Sequence, residues 1–136
     1  VISIATGQII TNLGAKIIIN RGFKGTPDYT APTVFSVGTG TTTPVVTDTV
    51  IETLVQISGS DTKAIVTGYP TFDETNFVAT IRCLLLTTEC NGSPLTEFGL
   101  KNTDGTAKLF SHAVHTAISK TASIQVIYVE KDKITL

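Results

Sequence analysis

The sequence predicts an all-β fold: an antiparallel β-sandwich, closed in a jelly-roll-like way, with an extended N-terminal arm. Three observations point there. Apolar and polar residues alternate with a period of two along most of the chain, and no heptad or sustained 3.6-residue pattern competes. Clusters of Gly, Pro, Asn, Asp and Ser interrupt the alternation at short intervals. Threonine, which is β-branched and favours extended backbone, supplies 25 of the 136 residues.

Taken in order, residues 1–10 have β character but no evident partner strand. They are expected to form an arm or edge strand, with residues 1–12 set apart from a single sandwich domain over 13–136. Residues 15–20, with Ile17, Ile18 and Ile19 in a row, read as a strand. Residues 22–32 read as a loop rich in Gly, Pro and Tyr. Residues 33–37 form a short strand that runs into Gly38-Thr39-Gly40. Along residues 50–57, Ile51, Val55 and Ile57 fall on one face and Glu52 and Gln56 on the other.

Ser58-Gly59-Ser60-Asp61 is a turn, and 63–69 a second strand stopped by Pro70. After the turn Asp73-Glu74-Thr75-Asn76 comes the longest apolar stretch, 77–88. It is apolar at both parities, as expected of a central strand covered on both sides. A reversal at Asn91-Gly92-Ser93-Pro94, a strand at 95–100 and a hairpin at Asn102-Thr103-Asp104-Gly105 follow, since Asp-Gly tolerates the positive φ of tight turns. Strands at 107–114 and 122–130 complete the set. Short connections favour antiparallel neighbours, and two stacked sheets would bury the apolar sides.

Composition narrows the function. Only 15% of residues are charged, against roughly 25% in soluble domains generally. The net charge is −1 and the ten basic residues are scattered, which argues against nucleic-acid binding. A threonine-coated, charge-poor exterior costs little to desolvate and suits permanent subunit contacts. No apolar run is long enough to span a membrane as a helix. No basic stretch leads into an apolar one near residue 1, so no signal peptide is expected, and the lack of Met fits numbering after an excised initiator. Cys83 and Cys90 are separated by about 23 Å if extended, and are expected as free thiols, Cys83 in the core. That usage agrees with a reducing cytoplasm.

No motif carries chemistry. Gly38-Thr39-Gly40 lacks both the lysine of a phosphate loop and the third glycine of a dinucleotide fingerprint, and Pro44 opposes a following helix. It reads as a structural turn. His112 and His115 have opposite parity on a strand, which is unfavourable for a shared metal. Asp73 and Glu74 sit together in a turn rather than facing each other across a substrate. Glu97, between Leu95 and Gly99, reads as a half-buried carboxylate paired with Arg82. Asn91-Gly92-Ser93 matches a glycosylation acceptor but reads as a turn. No catalytic set, cofactor site or metal site is expected, and no enzyme activity.

The order of segments resembles small structural proteins of tailed phages. Phe35-Ser36-Val37-Gly38-Thr39-Gly40-Thr41-Thr42-Thr43-Pro44, then Thr47-Asp48-Thr49, is similar to their F-x-(I/V)-G-T-G-T-T-x-P-x-x-x-D-T segment. Glu89-Cys90-Asn91-Gly92 through Leu95-Thr96-Glu97-Phe98-Gly99-Leu100 resembles T-E-A-N-G … I-T-E-x-G-L-F, with Cys90 in place of Ala and Lys101 after Leu100. Lys108-Leu109-Phe110-Ser111-His112, then Ile118-Ser119-Lys120-Thr121, resembles L-F-S/A-R … I-x-K-T. The resemblance covers roughly residues 9–130.

It implies a virion part with a β-sandwich-like fold and no catalytic residues. The leading expectation is a capsid decoration, or cement, protein that binds the major capsid protein or other virion subunits, assembled in the host cytoplasm as a homo-oligomer, most simply a trimer. The alternatives are a tail, collar, baseplate or fibre component, and a carbohydrate-binding adhesion module. The last has little aromatic material to build a platform: no Trp and three Tyr. Ile2, Ile4, Ile9, Ile10, Phe23, Tyr29 and Phe35 are the expected subunit contacts. No nucleic acid and no membrane are expected as partners.

Overall fold

The computed structural model describes residues 1–136. Its elements in chain order are β1 (Ile2–Ala5), β2 (Ile9–Ile10), α1 (Asn12–Phe23), β3 (Val34–Gly38), β4 (Leu54–Val55), β5 (Lys63–Ala64), β6 (Thr71–Asp73), β7 (Val78–Leu85), β8 (Pro94–Lys101), β9 (Leu109–Ser119) and β10 (Val126–Lys133). They build two sheets packed face to face. One has the order β1-β10-β7-β6; the other runs β2-β9-β8-β3-β4, with β5 also on β3. Every pairing is antiparallel except β1 with β10. The protein is thus an all-β sandwich with one helix. Residues 1–12, expected as an arm or edge strand, supply an edge strand to each sheet, β1 to one and β2 to the other.

The core lies between the sheets. Ile81, Cys83, Leu85, Val126 and Tyr128 come from one; Phe35, Val37, Leu95, Phe98 and Leu100 from the other. Phe98 stacks on Tyr128 across the interface at 4.8 Å and on Phe35 at 6.1 Å. Truncating a buried aromatic of this kind costs about 3–5 kcal/mol. The Tyr128 hydroxyl is not stranded there: it meets His115 Nε2 at 2.9 Å.

The helix corrects the strand expected at 15–20. Isoleucine favours strands only weakly and by context, and here the cap and the packing decide. Thr11 Oγ1 accepts from the Gly14 amide at 3.0 Å and donates to the Leu109 carbonyl at 2.5 Å, so it caps α1 and ties it to β9. Gly14 lies against the Phe110 carbonyl, where a Cβ has no room. Ile17 is buried while Ile18 and Ile19 are exposed, a one-sided pattern that belongs to a helix.

Further expectations change. The strands expected at 50–57 and 63–69 shrink to β4 and β5, because only those residues find a ladder partner on β3. Ile51 and Ile57 are nonetheless buried, with Val55 half-buried, as their shared parity requires. The doubly covered strand is β8, not β7. In β7 the inner residues Ile81, Cys83 and Leu85 are buried, but Arg82 on the opposite face is exposed. In β8 every residue from Leu95 to Leu100 is buried. Two of the turns fall where expected, whereas the tight hairpin expected at Asn102–Gly105 is a wider loop closed by the Asn102 amide on the Lys108 carbonyl, with no positive φ at Asp104 or Gly105. Ser58 and Gly59 adopt φ of 50° and 80° in a tight reversal joining Ile57 to Ser60. Asp73 Oδ1 accepts from the amides of Thr75 and Asn76. Both cysteines are free, with burial raising the thiol pKa of each.

Candidate functional site

The outer face of β8 is buried because the connection from β3 to β4 folds back over it. Two contacts hold it there. The first is apolar: Ile51 reaches Gly99, where a Cβ would stand 2.6 Å from Ile51 Cδ1 and 2.6 Å from Leu109 Cδ1. Glycine at 99 is the gap that lets the loop close down. The second is ionic and centres on Glu97.

Glu97 is completely buried. Its Oε1 accepts from the amides of Gly40 (3.1 Å) and Thr53 (3.2 Å); its Oε2 accepts from the Glu52 amide (2.6 Å) and from His112 Nε2 (2.7 Å). Four donors satisfy both oxygens. Burial alone would raise the Glu97 pKa, but the His112 bond and the three amides outweigh it and hold the carboxyl below its ordinary value of 4.5. The other nitrogen of His112, Nδ1, meets Asp48 Oδ2 at 2.7 Å. Burial opposes protonation of His112, yet bonds to Glu97 and then Asp48 prevail and raise its pKa above 6.5. Both ring nitrogens lie within hydrogen-bond distance of a carboxylate, an arrangement that favours the protonated ring.

This geometry explains Gly38-Thr39-Gly40. A Cβ on Gly38 would lie 2.5 Å from Glu97 Oε1, and one on Gly40 2.6 Å from the same atom. The glycines make room for a carboxylate of the chain itself, so the segment is a structural turn with a specific steric cause. The loop beyond is pinned by Glu52, whose carboxylate accepts from the Thr42 amide (3.1 Å) and hydroxyl (2.9 Å). Above it lies an open depression of about 480 Å³, lined by threonines together with Asp48, Glu52 and His112.

The polar atoms of the cluster are spent mainly on one another. Both His112 nitrogens are engaged by carboxylates. No hydroxyl or thiol bonds to the ring, so no nucleophile is poised. No group of three or more His, Cys, Asp and Glu side chains converges as metal ligands would. Sequence reasoning paired Glu97 with Arg82. The structure corrects that: Arg82 is exposed on the other sheet, and the partner is His112 on the neighbouring strand. His112 and His115 do face opposite sides of β9. His115 points inward to Tyr128, and its pKa is lowered by burial.

Two other buried polar groups stand out. Lys120 is buried and donates to Asn91 Oδ1 (2.8 Å) and the carbonyls of Thr121 (3.1 Å) and Thr87 (3.5 Å), tying the β7–β8 and β9–β10 connections together. Asn91, the glycosylation-like asparagine, is part of that clasp. Glu130 is buried between the sheets; its Oε2 accepts from Ser111 Oγ at 2.7 Å and its Oε1 has no partner. Burial, and then the nearby Asp132, push its pKa well above the carboxylate range. It is therefore a neutral acid in the core at neutral pH. Its parity with Val126 and Tyr128 is the inward one, but its charge argued for solvent.

The seven residues expected as subunit contacts separate into groups. Phe35 is fully buried and stacked on Phe98, so it is a core residue and not a contact. Ile4, Ile10 and Tyr29 pack partly against the core, and Lys108 Nζ lies 5.4 Å over the Tyr29 ring. Ile9 is half-buried on an edge strand, and Ile2 and Phe23 are exposed. Comparison with protein-family models, with curated proteins and with solved structures finds no match.

Proposed function

We propose that the chain is a structural subunit of a tailed-phage virion, and specifically a capsid decoration protein that binds and stabilises the major capsid shell. The observation that carries the reading is where the phage-like segments meet. Gly38, Gly40 and Asp48 from the first of the phage-like blocks and Glu97 from the second close in a single buried knot on His112, which stands where the third block has Arg. These side chains bond to one another across the fold, which supports an architectural role. The exterior agrees with an assembling subunit: Val1, Phe23, Phe72 and Ile134 are large apolar residues left mostly in solvent. Sheet edges at β1 and β6 offer further backbone for strand addition.

Locating the chain on particles tests the reading. Gold-labelled antibody against the purified protein should decorate the head surface, with hundreds of copies per particle. Labelling confined to the tail, at a dozen or fewer copies, would move the protein to a collar, baseplate or fibre position. Absence from purified particles would end the virion reading altogether.

A further inference from the structure

Helix α1 leaves two of its large apolar residues, Ile19 and Phe23, facing solvent. Gly14 and Ile17 face the sandwich and are buried. At 3.6 residues per turn, Lys16, Ile19 and Phe23 line up on the opposite pole. Ile19 is 61% exposed and Phe23 87%. An outward pole is where a helix of a solitary domain carries polar residues. The charge on that pole is Lys16, which has no carboxylate partner; Lys24 is neutralised by Asp28, and Arg21, on the pole of Gly14 and Ile17, donates to the Tyr29 carbonyl.

A second uncovered apolar surface lies at the far end of the β1-β10-β7-β6 sheet. Register puts Phe72 beside Ala79, and Ile134 donates its amide to the Phe77 carbonyl. Phe72, Phe77 and Ile134 thus share one end of the sheet and are 70%, 47% and 63% exposed. Its neighbours include Glu74, exposed in the β6–β7 turn, and, opposite Ala79 on β10, Asp132, which accepts from Gln8 Nε2 at 2.8 Å and keeps its charge. Lys131 and Lys133 have the other parity and face away.

We infer that these two surfaces are the halves of one interface between copies of this chain: the Ile19–Phe23 strip of one copy seats on the Phe72–Phe77–Ile134 end of the next. Charge complementarity selects the occupant. Lys16 on the helix strip meets Glu74 and Asp132 at the sheet end, whereas helix against helix would set lysine against lysine. Because the two patches differ, the contact is heterologous and repeats head to tail, closing into a ring if the rotation permits. The inference rests on the assembly part of the reading above and gives it a defined surface.

The test uses two full-length variants in sedimentation velocity. Phe23→Asp disables the helix strip; Phe72→Lys disables the sheet end. Both sites are exposed, and circular dichroism checks each fold; if Phe72→Lys misfolds, Glu74→Lys in the exposed turn replaces it. Wild type should associate beyond the dimer. Each variant alone should be monomeric, with affinity down about 30-fold or more, as for a central contact residue. An equimolar mixture should form a 1:1 heterodimer and stop, because each variant keeps one intact half. Three results would overturn the inference: a monomeric wild type, a mixture that stays monomeric, or loss of association in the helix variant alone, which would mean two-fold helix pairing. Particle labelling is independent of all three, so the virion reading and this interface can fail separately.

Discussion

Replacing Glu97 with alanine exposes how much the buried knot contributes. The substitution strands the amides of Gly40, Glu52 and Thr53 and leaves His112 Nε2 without its carboxylate. Removing one partner of a buried, hydrogen-bonded ion pair costs about 3–5 kcal/mol. Total stabilities run to roughly 5–15 kcal/mol, so the loss is a large share. At about 3–6 °C per kcal/mol for a domain of this size, the melting temperature should fall by roughly 10–30 °C. Glu97→Gln should be milder, because its carbonyl oxygen still serves two of the amides while its NH2 group can donate to a neutral His112.

The pH profile adds a signed check. His112 has a folded pKa raised above 6.5, so its contribution is complete below 6.5 and is lost as pH climbs through the folded value. Glu97 has a folded pKa depressed below 4.5, so its contribution is present above 4.5 and is lost as pH falls through the folded value. The knot is therefore strongest between about pH 4.5 and 6.5. Urea unfolding of wild type, Glu97→Gln, His112→Gln and the double variant at pH 5.5 and 8.5 measures both effects. A Glu97–His112 coupling near zero, or one equally large at both pH values, would refute the reasoning.

Further outcomes follow from single contacts. Gly40→Ala drives a Cβ into Glu97 Oε1 and should cost about 1–3 kcal/mol by thermal melting; a neutral result would mean the carboxylate sits elsewhere. Thr11→Ala removes the cap of α1 and should cost about 1–2 kcal/mol, with faster amide exchange confined mainly to residues 12–17. Glu130 has a raised folded pKa, so wild type loses stability as pH rises from 4.5 toward that value. Glu130→Gln keeps the Ser111 bond without that loss, so its stability relative to wild type should improve from pH 5 to pH 8 in urea unfolding; an equal difference at both would contradict a neutral Glu130. Phe98→Ala opens the centre of the aromatic stack and should cost about 3–5 kcal/mol.

Much of the candidate site was legible in part. Glu97 drew notice as an acid among apolar neighbours, and the glycines of 38–40 as a turn. What could not be read was that one carboxylate requires both glycines, since the residues are far apart in sequence and the contact exists only after β3 pairs with β8. His112 looked ordinary for the same reason: its partners lie on a loop and on the adjacent strand. Glu130 alternates correctly for an inward position, yet a charged residue at that parity reads as solvent-facing until the opposing sheet covers it.

By itself the sequence determined the sandwich, through period-two alternation and the turns that cut it. Those signals are local: parity chooses a face, and Asp, Asn and Gly permit a reversal wherever they stand. Tertiary structure decided which strand is covered on both sides, that 12–23 coils into a helix, and which acids are buried. Each of those depends on what another part of the chain brings within a few ångströms: a threonine cap against β9, a loop folded over β8, or a histidine between two carboxylates.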